Sequence, residues 1–116
     1  APSRGLGDVY KEAILINPKY ISAFADYSRY LISKSEYAEA QRKLRKALKA
    51  DDNNIVLLNL LFYASYILVK ENVCEYNVKE AITIADKIIN ISPGLFEYPE
   101  QKAELSKLLQ NNSERE

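Results

Sequence analysis

Along most of this chain, apolar side chains return every three or four residues, the spacing that gathers them on one face of an α-helix. Phe24, Tyr27 and Leu31, flanked by Ala23 and Tyr30, follow that rule, and so do Tyr37, Ala40, Leu44, Ala47 and Leu48. One stretch departs from it. Residues 55–69, IVLLNLLFYASYILV, are apolar on every side, and only Asn59 and Ser65 lack a substantial apolar group or methyl. Such a run is a membrane anchor, a helix buried all round, or a sticky surface. A spanning helix needs about 20 apolar residues, and here Lys70, Glu71 and Asn72 close the run after about 15. A membrane anchor is therefore not expected.

The pattern predicts six helices, near 8–16, 21–33, 36–50, 55–71, 78–91 and 99–110. The short Lys34-Ser35 link can join only antiparallel neighbours, with Ser35 as the expected N-cap. Asn77-Val78-Lys79-Glu80 has the spacing of a capping box. Pro93-Gly94 stops the fifth helix, and Pro99 suits the first turn of a last one carrying Leu105, Leu108 and Leu109. Residues 1–7 are expected to be a flexible lead, and the tail QNNSERE (110–116) to fray into disorder.

The chain also resembles itself. DVYKEAILINPKY (8–20) aligns with RKLRKALKADDNN (42–54) at a displacement of 34, which sets Tyr10 over Leu44, Ala13 over Ala47 and Ile16 over Ala50. EAITIADKIINISPG (80–94) follows at a displacement of 41 from the second copy, with Ala81 over Ala40, Ala85 over Leu44 and Ile88 over Ala47. The excess of seven residues is about two helical turns, absorbed by a longer helix or loop.

These features resemble the tetratricopeptide repeats, a family of 34-residue helix–turn–helix units. In the unit 21–54, Phe24 and Tyr27 stand where the family prefers bulky residues, and Ser28 where it needs a small one. Leu31, Tyr37, Ala40, Leu44 and Ala47 fill the remaining signature positions, while Asp52 replaces the turn proline that Pro18 and Pro93 retain. Two departures stand out. The first copy has only its second helix, and Phe62 occupies a place where a small side chain is expected. The resemblance implies an all-α fold: antiparallel helix pairs stacked as a short right-handed α-solenoid over 8–109. Its parts are a half repeat at 8–20, a repeat at 21–54, an extended repeat at 55–94 and a closing helix at 99–109.

Composition narrows the chemistry. Sixteen Lys plus Arg balance sixteen Asp plus Glu, leaving no global field to draw nucleic acid or an anionic membrane. The single cysteine, Cys74, excludes an internal disulfide and a multi-cysteine metal site. The opening APSRGLG has no signal-peptide pattern and no initiator methionine, as expected of a chain processed or cut from something longer. There is no histidine and no glycine-rich phosphate cradle. Cys74 as a nucleophile would need Lys70 or Lys79 to activate it, and reads more simply as a half-exposed loop residue. The carboxylates Glu36, Glu39, Glu71, Glu75 and Glu80 sit at helix starts or in loops, where they complement helix dipoles. Arg42, Lys43, Arg45, Lys46 and Lys49 lack interleaved aromatics and read as a solvated face rather than a nucleic-acid patch. Asn90-Ile91-Ser92 and Asn111-Asn112-Ser113 fit the glycosylation pattern by chance. No enzyme activity, metal or cofactor is expected.

In the family, first helices line a concave side that takes an extended peptide or a helix. The resemblance places Ser22, Ala25, Asp26, Arg29 and Ser33 on that side in one unit, and Val56, Asn59, Leu60, Tyr63 and Ile67 in the next, with Tyr66 nearby. One half of the groove is polar and the other apolar and aromatic. Asp26 and Arg29, three apart, either pair with each other or meet a ligand. Asn59, an amide among leucines, bonds either to another helix or to a ligand backbone. Some subfamilies hold a C-terminal carboxylate here, but Ala25 and Leu60 occupy the places that mode requires, so it is rejected. The expected partner is a protein or peptide. The rival expectation is a structural segment that packs against itself, as a homo-oligomer, or against a larger chain.

Overall fold

A computed structural model describes residues 5–17, 20–94 and 97–115. The fold is all-α, with six helices: α1 (Leu6–Ile16), α2 (Ile21–Ser33), α3 (Tyr37–Leu48), α4 (Ile55–Glu71), α5 (Glu75–Ile91) and α6 (Glu97–Arg115). No strand occurs among the described residues. The chain divides into two compact units, residues 1–61 and 62–116, so that α4 starts in the first and ends in the second.

In the first unit α1 packs on α2 and α2 on α3. The apolar stripe of α2 becomes the core: Phe24, Tyr27 and Leu31 are buried, as are Ala40, Leu44 and Ala47 of α3. Ser28 is also buried, and its hydroxyl has no hydrogen-bond partner. The α2–α3 turn corrects one expectation. Ser35 is not an N-cap but the residue just past the α2 C-terminus, in left-handed backbone at φ 60°. Its N–H donates to the Ile32 carbonyl and the Glu36 N–H to the Leu31 carbonyl, both at 2.9 Å. This is the Schellman closure, which usually recruits glycine.

The second unit is built from the rest of α4, from α5 and from α6, which packs on α5. Phe62, Ala64, Ser65 and Val69 are buried, with Val78, Ala81, Ile84, Ala85 and Ile88 of α5 and Leu105 of α6. Phe62 is accommodated without a small residue: its ring stacks on Tyr66, with centroids 5.7 Å apart. The capping box expected at 77–80 does not form. α5 starts at Glu75, so Asn77 lies inside the helix and donates back to the Asn72 carbonyl (3.4 Å). α1 starts at Leu6, within the expected flexible lead, and α6 continues through Arg115, beyond its expected end at 110. Pro99 falls in the first turn of α6 as expected, whereas Pro18 lies outside the described residues. Among those residues no helix is long and apolar enough to cross a membrane.

Candidate functional site

Ser22, Asp26 and Arg29 recur at intervals of four and three along α2, which sets them in one row on its exposed side. Ala25 lies beside them and is buried. Together with Ile21 these residues line one wall of a concavity of about 270 Å³. Asn54, Val56 and Leu57, at the start of α4, supply the other wall. The floor is apolar, the rim polar. Asp26 and Arg29 form an ion pair at 3.1 Å, with both side chains exposed. Of the two alternatives for this pair, pairing with each other is the one observed, and the paired side chains also line the concavity.

Asn54 is the residue that reading the sequence missed. Its Oδ1 accepts from the backbone N–H groups of Val56 (3.0 Å) and Leu57 (3.1 Å), and its Nδ2 donates to Asp51 Oδ2 (3.0 Å). It therefore caps α4 and fixes the edge of the concavity. Because the cap takes up the first free N–H groups of the helix, the α4 terminus does not stand open to an anion. An asparagine directly before an apolar helical run is the signal that finds such a cap.

Five of the ten expected groove residues, Ser22, Ala25, Asp26, Arg29 and Val56, meet in this concavity. Asn59 and Leu60, further along α4, are half-buried and do not line it. Asn59 is engaged by other groups. Ser33, which is exposed, bonds back to its own helix, its hydroxyl donating to the Tyr30 carbonyl (2.6 Å). Tyr63, about half exposed, and the half-buried Ile67 belong to the second unit. There the Tyr66 hydroxyl donates to Glu104, and Lys70 Nζ lies 4.4 Å from the Tyr66 ring centroid.

The other sequence candidates are tied into the fold. Arg42 pairs with Glu39 at 3.0 Å, and Lys43 reaches both Glu39 (3.9 Å) and the Tyr27 ring (5.9 Å to its centroid). Glu75 bonds Lys79, whose ammonium holds the Glu75 carboxyl below the usual carboxylate range. Cys74 is half-buried just before α5. Among the described residues no three potential metal ligands gather. A scan against models of known protein families and a search of curated proteins both find no match to the chain.

Proposed function

We propose that this chain is a tetratricopeptide-type, non-catalytic interaction module, and that the concavity between α2 and α4 holds an extended peptide or a helix of a protein partner. One observation carries the reading. Five residues expected from the repeat resemblance to face a groove, on two separate helices, line the same concavity. An apolar floor with a polar rim suits a side chain below and a peptide backbone above. Ala25 and Leu57 provide the floor, and Ser22, Asp26 and Arg29 provide direction.

The test is selection from a displayed peptide library, followed by affinity measurements on Arg29→Ala and Val56→Lys. Both residues are exposed, so the fold should be retained. Binding about tenfold weaker is the expected result for either variant. Unchanged affinity for both would sink the groove reading.

A second reading, a contact of this segment with another copy or with the rest of a larger chain, has its own support. Val9, Leu15 and Ile16 of α1 and the following Tyr20 are exposed, with Leu15 and Ile16 at 81% each. In the 34-residue register Val9 and Leu15 match Lys43 of α3 and Lys49 directly after it. Light scattering over a concentration series discriminates. A wild type that associates, and a Val9→Lys/Leu15→Lys variant that does not, would favour this reading. A wild type monomeric throughout excludes its self-association form.

A further inference from the structure

The first unit holds another concavity, of about 210 Å³, lined by none of the residues of the first. It opens between the start of α1, the end of α2 and Glu36 just before α3. The half-buried Tyr30 and, at the buried inner end, Tyr27 line it, and Asp8, Lys11 and Glu36 stand on its exposed rim. Tyr10 braces both rings, with centroids at 6.3 and 6.4 Å. Gly7 permits this close fit, because a Cβ there would lie 2.9 Å from Tyr30 Cε1. The left-handed Ser35 turn fixes the backbone of Glu36.

The face of a tyrosine ring is electron-rich and attracts an ammonium within about 6 Å of its centroid. These two rings already do so on the chain's own lysines: Lys34 Nζ lies 5.8 Å from the Tyr30 centroid, and Lys43 Nζ 5.9 Å from that of Tyr27. Neither lysine lines the concavity. On the rim two carboxylates outnumber one ammonium, so the charged lining sums to −1. We propose that this pocket receives the ammonium end of a lysine side chain carried by a protein partner. Its volume lies below the roughly 300–1,000 Å³ of small-molecule sites, which suits a single side chain. An apolar side chain would leave the carboxylates unanswered, and an anion would meet a negative rim. The pocket and the α2–α4 concavity share no residue, so either proposal can fail alone.

The test is amide NMR on the isotope-labelled chain, titrated with Nα-acetyl-lysine methylamide and, separately, with Nα-acetyl-norleucine methylamide, which has an aliphatic stem but no amine. The lysine probe should shift Gly7, Asp8, Tyr30 and Glu36 saturably, and the norleucine probe should not. The double variant Asp8→Asn/Glu36→Gln alters only exposed side chains and should weaken lysine binding about fivefold or more. Lys11→Gln should tighten it about twofold, by removing the like charge. An equal response to norleucine, an unweakened double variant, or weaker binding by Lys11→Gln would each overturn the proposal.

Discussion

Helices α1 and α6 each close one of the two compact units, and they are fastened in opposite ways. α1 meets α2 through rings, with Tyr10 set against Tyr27 and Tyr30, and it leaves Leu15 and Ile16 open to solvent. α6 is hung on one fully buried leucine, Leu105, and on polar ties: Lys102 to Asp86, Glu104 to the Tyr66 hydroxyl, and Glu104 to Lys70 at 3.7 Å. Along α6, Glu100, Glu104, Ser106, Lys107 and Gln110 are exposed. The difference lies in what each helix turns to solvent: polar and charged side chains along α6, and Val9, Leu15 and Ile16 along α1.

Leu105→Ala strains that comparison hardest. With its side chain completely buried, the loss should be about 3 kcal/mol, from transfer and cavity terms together. Ile16→Ala should stay within about 0.5 kcal/mol, because most of that side chain is already in water. Chemical unfolding of both variants is the measurement. Similar losses would mean that α1 is covered in solution in a way its exposure does not reveal.

A smaller and opposite effect is expected in the first unit. Ser35 holds φ 60° at a position where glycine carries no side-chain penalty, so Ser35→Gly should stabilise by about 1 kcal/mol. Hydrogen exchange separates the units: protection should rise in α2 and α3 and stay level in α5 and α6. Uniform gain across the chain would show that the two units open together. A loss would show that the hydroxyl matters more than the backbone.

The contrast between α1 and α6 was only partly legible in the sequence. Apolar spacing located every helix but α4, because burying one face imposes the 3.6-residue period whatever the partner is, and α4 showed itself as an unbroken apolar run. It placed Leu44, Ala47, Ala85 and Leu105 correctly in the core. It could not tell that Tyr10, matched to the fully buried Leu44, remains half-exposed, because the repeat encodes equivalence and not the number of neighbours present. Ser35 before an acidic helix start reads as a cap, and only the backbone angle shows that it closes the preceding helix instead. Polar residues beyond 110 carry no packing signal, so the helical extension of α6 to Arg115 was unreadable. The tyrosine-walled pocket was hidden for a related reason: rings at core spacing look like core. The five groove residues that do meet could be read because the repeat register, and not the apolar spacing, assigns a facing to α2 and to the first turn of α4.

The finest test concerns the polar fastening itself. Burial, then the hydrogen bond to Glu104, raises the Tyr66 pKa above its ordinary value, while Lys70 opposes the shift. A group whose folded pKa is raised stabilises the fold fully below its unfolded value and loses that contribution as pH climbs through the folded one. For tyrosine the ordinary value is about 10, so the contribution is constant through neutral pH and fades only in the alkaline range. Tyr66→Phe keeps the ring over which Lys70 lies and deletes the hydroxyl, so it should cost about 0.5 kcal/mol at pH 7. The gap between wild type and variant should then close above about pH 10, as the phenolate forms beside Glu104 and the tie turns into repulsion. A gap that holds its size at high pH would mean that α6 does not depend on this proton, leaving Leu105 and the Lys102–Asp86 and Lys70–Glu104 pairs as its fastening.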